Sequence, residues 1–211
     1  MTWSEAPAAP KYSRLTPEQR QAALIAAGLA CLARGGILEF TIDNICREAG
    51  VSRGLITHHF GSKDGLMVAI YRNMYDRLHQ GIETAPGGAL SAASRLRAMV
   101  ETIFAPELFS REELNIWLAL WGEIVNNPAL KREHRRQYAR YLRNLEAVLA
   151  EVVAARGLVR EVRPLAQMVI ALVDGLGLER CIEPRLLSPR AARDICLSTL
   201  EAVLGPLDGR S

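Results

Sequence analysis

Aromatic residues and long apolar runs are both scarce in this chain. Aromatic side chains make up 6% of the 211 residues, although 49% of the residues are hydrophobic. No run of about 18 uninterrupted apolar residues occurs, so we expect no membrane span. The first residues contain no apolar segment typical of a secretion signal, and none is expected. The net charge at pH 7 is only +3. A nucleic-acid site must therefore depend on local charge rather than on a basic field over the whole molecule.

Patterns that would indicate a metal centre or a disulfide framework are also missing. The four cysteines form no CxxC pair, and each lies at or near an apolar helical stripe. This favours reduced, buried thiols in a cytoplasmic protein. None of the four histidines follows a glutamate by three residues, as the ligands of a carboxylate-bridged di-iron enzyme would. We therefore expect a protein that is not an enzyme and that uses no metal or other cofactor.

The stretch Thr41–Phe60 has the pattern of two short helices joined by a tight turn. Thr41 can cap the first helix, and Gly50 can adopt the left-handed conformation that ends it. Ser52 can then cap a second helix with a polar outer face. A helix that is capped, ended and restarted within a few residues is typical of a helix-turn-helix, whose second helix enters the DNA major groove.

The residues of this motif and its flank resemble a known family. The N-terminal signature of TetR-family transcriptional regulators is similar to Gly50-Val51-Ser52-x-Gly54-x-x-x-His58-His59-Phe60-x-Ser62-Lys63-x-x-Leu66. Within that family the chain is most similar to the BetI-type branch of choline-responsive repressors. The resemblance implies a repressor that binds a palindromic DNA operator as a homodimer and is released by a small molecule.

Helical periodicity without any strand pattern predicts an all-α fold. Residues 1–15 are expected to form a flexible arm, either a solvated tail or a segment that seeks phosphates or the minor groove. Residues 16–84 are expected to form a three-helix, helix-turn-helix DNA-binding domain. The breakers in 85–88 predict a linker, and residues 90–211 are expected to form a larger helical domain for effector binding and dimerisation.

Caps and breakers predict where the other helices begin and end. The predicted starts are at Thr16, Lys63, Ser110, Asn127, Pro164 and Ser188, and the predicted ends include Gly35-Gly36 and Gly81.

The candidate DNA-binding residues follow from the resemblance. They are Thr41, Ser52, Arg53, Leu55, Thr57, His58, His59 and Lys63. Arg53 is the best candidate for guanine, because its guanidinium fork matches O6 and N7. Leu55 and Thr57 are candidates for thymine methyl groups. Lys63 lies in the first turn of a helix, where a cation opposes the macrodipole. It is either a phosphate ligand or an ordinary surface lysine.

A second segment, residues 131–143, is more basic than the motif. It contains six Lys and Arg residues against Glu133. This composition fits either a nucleic-acid patch or the solvated face of an amphipathic helix. Tyr138, Tyr141 and Leu142 alternate with the charges at helical spacing, which favours the solvated face.

Candidate effector-binding residues lie in the C-terminal half, which resembles the BetI-type C-terminal domain. Trp117 and Trp121 share one helix face, where they either fill a core or attract a quaternary ammonium group. Asp174 lies within an apolar helix, so its carboxylate needs an arginine partner or a cationic ligand. The further candidates are Phe104, Glu123 and Tyr138.

The last two helices resemble the dimer interface of the family. The candidate interface residues are Gly175, Ala192, Ile195, Thr199, Leu200 and Val203. A dimer is also expected because two short recognition helices, one DNA turn apart, can contact both halves of a palindromic site. The alternative is a helical ligand-binding or interaction module with a degenerate helix-turn-helix.

Overall fold

The computed structural model describes residues 16–84 and 91–207, and every regular element within them is an α-helix. This confirms the predicted all-α fold. The predicted arm and the predicted linker lie outside the described residues. The nine helices of the two described segments are α1 (Pro17–Glu39), α2 (Ile42–Ala49), α3 (Gly54–Phe60), α4 (Lys63–Thr84), α5 (Ala92–Ile103), α6 (Arg111–Ile124), α7 (Pro128–Ala155), α8 (Val162–Ile182) and α9 (Pro189–Leu204).

Helix α1 begins at the predicted capping box. The Thr16 hydroxyl accepts a hydrogen bond from the Gln19 backbone N–H at 3.2 Å, and the Gln19 side chain accepts one from the Thr16 N–H at 2.9 Å. The predicted end at Gly35-Gly36 is wrong by one turn. The backbone leaves helical values at both glycines, and a further turn continues to Glu39. Glycine tolerates such a kink because it has no Cβ.

Helix α1 is also the one described helix long and apolar enough to cross a membrane by length and composition alone. A core helix passes the same test. In this protein α1 packs against α2, α4 and α6, and Leu24 and Leu32 are completely buried in those contacts. Its apolar character is therefore accounted for by the core of the protein.

Helix α4 starts immediately beside the end of α3. The Ser62 hydroxyl accepts a hydrogen bond from the Gly65 N–H at 3.0 Å and so caps α4. A Cβ at Gly65 would lie 1.9 Å from the carbonyl oxygen of Phe60, so only glycine permits this approach. The helix ends three residues beyond the predicted Gly81.

Helices α5 to α9 share one continuous core with α1 to α4. Ser110, Asn127 and Ser188 cap α6, α7 and α9 as predicted. Helix α8 begins at Val162, two residues before the predicted start at Pro164. The first turn of a helix accepts proline because its N–H groups have no partner within the helix.

A row of polar contacts joins α4 to α7. The Tyr71 hydroxyl lies 2.7 Å from Nδ1 of His134, and two nitrogens of Arg72 each donate to Glu133 at 3.2 Å. Arg140 pairs with Asp76 at 3.4 Å. The α4–α7 seam, defined by these three pairs, fixes the position of α4 along α7.

The basic segment 131–143 lies within α7 and has one buried and one exposed side. Tyr141 and Leu142 are buried, and Tyr138 is half-buried. The exposed cations of the segment are Lys131, Arg132, Arg135, Arg136 and Arg143. The amphipathic arrangement predicted from the spacing is confirmed.

Glu133 is the buried charge of the α4–α7 seam. Burial alone would raise the pKa of its carboxyl. Hydrogen bonds from Arg72, Gln137 and Arg136 outweigh that effect and lower the pKa to about 2. The ionised form therefore stabilises the fold above the ordinary carboxyl pKa, and this stabilisation is lost as the pH falls toward 2.

We expect Glu133→Gln to lower the free energy of unfolding at pH 7 by about 2 kcal/mol, measured by urea denaturation. The full pKa shift corresponds to about 3 kcal/mol, but Arg72 and Arg136 are 48% and 61% exposed, so solvent screens the pairs. Between pH 4.5 and 2, the free energy of unfolding of the variant should also fall less steeply than that of the wild-type protein.

Glu101→Gln is the matched control, because Glu101 forms an exposed i,i+4 pair with Arg97. We expect it to cost less than about 0.5 kcal/mol. Equal losses in the two variants would contradict a special role of Glu133 in the seam.

Candidate functional site

The first helix of the motif is built as the sequence predicts. The Thr41 hydroxyl accepts a hydrogen bond from the Asn44 N–H at 3.2 Å. Gly50 ends α2 with a φ of 65°, and the Val51 N–H donates to the Cys46 carbonyl at 3.0 Å. These bonds satisfy the ends of α2 and fix its angle to the turn.

The second helix starts differently from the prediction. No side chain caps α3, and Arg53 rather than Ser52 precedes its first residue, Gly54. The carbonyls of Ser52 and Arg53 accept from the N–H groups of Leu55 and Ile56 at 3.1 and 3.2 Å. These backbone bonds close the first turn. The predicted Ser52 cap is therefore wrong, and the Ser52 side chain is exposed.

Four of the eight candidate DNA contacts share one shallow groove between α2, α3 and α4. Thr41, Arg53, Thr57 and Lys63 line it, together with Ile42, Asp43 and Gly54. Arg53 pairs with Asp43 at 2.6 Å, and both side chains are largely exposed. The groove therefore presents hydroxyls and cations with one carboxylate among them.

The other four candidates do not line the groove. Ser52 and His58 are exposed outside it. Leu55 is half-buried and packs against the core, so the structure assigns it to packing rather than to the predicted groove. His59 is half-buried, and its ring lies 4.9 Å from that of His58, edge to face.

Lys63 has a protein partner that its position in the sequence does not indicate. Its ammonium lies 5.9 Å from the centre of the Phe40 ring, which is within cation–π range. This contact offsets part of the penalty for a cation in the first turn of α4. Lys63 remains half-buried at the edge of the groove, where a phosphate could also approach it.

A cavity of about 330 Å³ lies between α4, α6, α7 and α8. Half of the chain's 3 Trp, 5 Tyr and 4 Phe side chains line it. The lining aromatic residues are Tyr75, Phe109, Trp117, Trp121, Tyr138 and Tyr141. The Tyr75 and Trp117 rings are 5.2 Å apart and nearly perpendicular at 88°, whereas those of Trp117 and Trp121 are 6.0 Å apart and tilted by 32°.

Four of the predicted effector residues, Trp117, Trp121, Tyr138 and Asp174, line this cavity. Phe104 and Glu123 do not line it. Phe104 is buried behind Phe109, with ring centres 4.7 Å apart. Its predicted place in the pocket is therefore wrong, because Phe109 occupies that wall.

The lining residues that were not among the candidates include Tyr75, Tyr141 and His134. The sequence does carry a signal for the first of them. Tyr71, Tyr75 and His79 recur every four residues on α4, as one aromatic face would. His134 and Tyr141 are hidden in the basic segment, where the charges dominate the pattern.

Asp174 is the one lining carboxylate without an ion-pair or hydrogen-bond partner among the described residues. The residue lines the cavity, although it is exposed as a whole in the single chain. Burial in these surroundings raises the pKa of Asp174 to about 6. The carboxyl is therefore mostly ionised at pH 7.

The other titratable groups of the cavity are neutral or paired. Burial raises the pKa of Tyr75 to about 12 and that of Tyr141 above its usual range. Burial also lowers the pKa of His134, so its imidazole is neutral at pH 7. Burial raises the pKa of Glu113, and Arg77 opposes this from 3.0 Å. One uncompensated negative charge remains, on Asp174.

Exposed apolar side chains form a stripe on α8 and α9. Leu178 and Ile182 are 39% and 68% exposed, Ile195 is 41% exposed, and Gly175 lies on the same side of α8. Two predicted interface residues, Ala192 and Leu200, are completely buried within the chain. They belong to its own core, which corrects that part of the prediction. Thr199 and Val203 are half-buried.

Both halves of the chain match known protein families. The family model "Bacterial regulatory proteins, tetR family" matches residues 24–70, and "BetI-type transcriptional repressor, C-terminal" matches residues 92–205. The HTH-type transcriptional regulator BetI of Burkholderia mallei is 31% identical over 190 residues, covering 90% of this chain and 95% of that protein. BetI 2 of Chromohalobacter salexigens is 31% identical over 197 residues, covering 90% of each.

Solved structures show the same fold. A crystal structure of a transcriptional regulator from Pseudomonas aeruginosa PAO1 has a TM-score of 0.76 and 38% identity, covering 92% of this chain and 94% of that one. A regulator from Saccharomonospora viridis in complex with choline has a TM-score of 0.77 and 24% identity, covering 87% and 96%.

These matches extend over the helix-turn-helix and the helices around the cavity. The matched families consist of transcriptional regulators, which confirms that the protein is a DNA-binding regulator and not an enzyme. The chain belongs to the TetR family of bacterial transcriptional regulators, with a C-terminal domain of the BetI type.

Proposed function

We propose that this regulator represses transcription in the cytoplasm by binding a palindromic operator as a homodimer, and that a small monovalent cation releases it. The observation that carries the proposal is Asp174, an unpartnered carboxylate in the wall of an aromatic cavity. The cavity is bounded on one side by α4, the helix that begins at the groove of the motif.

The cavity chemistry suits a quaternary ammonium group. Such a cation is attracted to the faces of Trp and Tyr rings, by about 0.5–1 kcal/mol at exposed sites and about 2 kcal/mol where water is excluded. Asp174 adds a full negative charge. The volume of about 330 Å³ lies at the lower end of the roughly 300–1,000 Å³ usual for ligand sites, which favours a small ligand. The S. viridis regulator in complex with choline supports this ligand class.

The charge balance favours a monocation over a dication. Glu113 also lines the cavity, but Arg77 pairs with its carboxyl at 3.0 Å. Tyr75, Tyr141 and His134 stay neutral at pH 7 because burial moves the pKa of each away from neutrality. A ligand with one positive charge therefore meets one compensating charge, whereas a second charge would be buried without a partner.

Helix α4 connects the cavity to the DNA-facing groove. Met74, Tyr75 and Leu78 lie in the cavity wall, and Lys63 at the start of the same helix lies in the groove. Lys63 and Tyr75 are about 18 Å apart along the helix axis. A ligand that needs more room between α4 and α7 would tilt α4 and move Lys63 and α3 with it. An effector with a 100-fold preference for the tilted state supplies about 2.7 kcal/mol against DNA binding.

The apolar stripe on α8 and α9 supports the homodimer. Leu178, Ile182 and Ile195 are exposed there in the single chain. A second copy would remove them from water and place two α3 helices on one face. Two such helices about 34–36 Å apart meet successive major grooves, which is why we expect a palindromic operator.

The direct test is operator binding and release. We expect the purified protein to enrich a palindrome from a random duplex library and to bind it more weakly as salt rises. Tetramethylammonium and choline should each raise the dissociation constant of the complex about 10- to 100-fold, measured by fluorescence anisotropy at constant ionic strength. Potassium at equal concentration is the control. Absence of salt-sensitive, sequence-preferring binding would reject the repressor function.

Asp174→Asn tests the ligand site. We expect the variant to bind tetramethylammonium at least about 10-fold more weakly in calorimetry at pH 7.5, because the cation loses its counter-charge. The ligand has no titratable proton, so any pH dependence belongs to the protein. Wild-type affinity should fall about tenfold per pH unit below 6, as Asp174 becomes protonated, and the variant should show no such slope.

The same variant should be more stable without ligand. A carboxyl with a raised pKa stabilises the fold when protonated, and that contribution is lost as the pH rises through about 6. Asparagine never ionises. We therefore expect about 1 kcal/mol of added stability at pH 7.5, and a Tm higher by about 2–4 °C, with the partial exposure of Asp174 taken into account. Asp64→Asn, at an exposed position of α4 away from the cavity, should leave the ligand affinity unchanged. Unchanged ligand affinity in Asp174→Asn would contradict the proposed cation site.

A further inference from the structure

The carboxylate of Asp43 lies among the groups proposed to contact DNA. Its Oδ1 is 2.6 Å from an Nη atom of Arg53, and the two side chains are 55% and 73% exposed. The pair joins the first turn of α2 to the residue before α3. Thr41, Thr57 and Lys63 line the same groove. The acid therefore belongs to a surface otherwise suited to anions.

A carboxylate in this place has a cost for DNA binding. Non-specific binding depends almost entirely on attraction between cations and phosphates. The chain has a net charge of only +3, so one carboxylate in the surface proposed to contact DNA removes a substantial part of the attraction between the protein and DNA. The dipole of α2 favours an acid in its first turn. That preference explains the residue type but not the contact that Asp43 makes with Arg53 across the turn.

The pair also changes what Arg53 can bind. In the free protein its guanidinium already has an acidic acceptor. A phosphate can engage both arms of the guanidinium fork, but it brings a second negative charge beside Asp43 and is repelled by that carboxylate. Guanine is different, because O6 and N7 also offer two acceptors to the fork while the base carries no charge. Adenine and thymine each present one acceptor in the major groove, and cytosine presents a donor.

We propose that Asp43 is a specificity-determining residue: it holds Arg53 away from phosphates and yields it only to a guanine edge. The inference rests on the proposed operator binding and concerns one position of each half-site. Asp43 acts through Arg53, so it is a positioning residue rather than a base contact. The protein would then gain selectivity from a group that lowers its overall affinity for DNA.

Selection from a random duplex library with wild type, Asp43→Asn and Asp43→Ala tests this role. We expect the wild-type protein to enrich guanine at one position of each half-site, and both variants to relax that position while the rest of the palindrome is kept. Their affinity for a duplex without the palindrome should rise. An exposed pair corresponds to about 1.4- to 5-fold per protomer, hence roughly 2- to 25-fold for the dimer.

The controls separate this role from a general charge effect. Asp64→Asn removes an equal charge from the first turn of α4, an exposed position outside the groove. It should raise non-specific affinity without relaxing the guanine position. In an Arg53→Ala background the guanine preference should be absent, and Asp43→Asn should then leave the selected sequence unchanged. Circular dichroism of each variant checks that the helices remain folded.

Two results would overturn the proposal, and they are distinct from failure of the operator binding itself. One is an unchanged guanine preference in both Asp43 variants. The other is a guanine preference that survives Arg53→Ala and is then relaxed by Asp43→Asn in that background. If the wild-type protein enriches no palindrome, the repressor function fails and the role of Asp43 fails with it. If it enriches one and the Asp43 variants keep the same preference, only the role of Asp43 is rejected.

Discussion

The packing of α4 against α7 is the contact on which the rest of the structure depends. Tyr71 is completely buried and bonds to His134, while Arg72 donates twice to the buried Glu133. These contacts fix α4 between the cavity and the groove of the helix-turn-helix. Tyr71 and Glu133 are the buried members of these pairs and have few alternative partners, so a shift of α4 must exchange the two contacts together. This gives the helix discrete positions, as a switch requires.

Few charged groups lie in the cavity or in the groove, the two sites that α4 connects. The cavity is aromatic and apolar, with one uncompensated carboxylate, and its remaining acid is paired with Arg77. In the groove of the helix-turn-helix, Arg53 is paired with Asp43 and Lys63 lies over the Phe40 ring. With so small a net charge, the affinity for DNA in the proposed function depends on geometry and on the proposed second copy. Selectivity then comes from which partner can displace each internal contact.

Much of this architecture could be predicted from the sequence, because its signals are local. Capping residues such as Thr16 and Thr41, and the left-handed Gly50, lie where the pattern predicts. The family motif also indicated Trp117, Trp121 and Asp174, which the fold brings to one cavity. The errors arise where long-range packing decides. Phe104 is buried beside Phe109 and does not line the cavity, and Ala192 and Leu200 are buried within the protomer, while Leu55 is half-buried against the core. Periodicity reports an apolar face but not which neighbour covers it.

The central claim is that the cavity and the DNA-facing groove are coupled through α4. Coupling between two binding sites is reciprocal, so it can be measured from the ligand side. The most direct measurement is the calorimetric affinity of tetramethylammonium for the free dimer and for the dimer saturated with its selected operator. We predict that DNA weakens ligand binding by the same factor, about 10- to 100-fold, by which the ligand weakens DNA binding. Equal ligand affinities with and without operator would contradict the account.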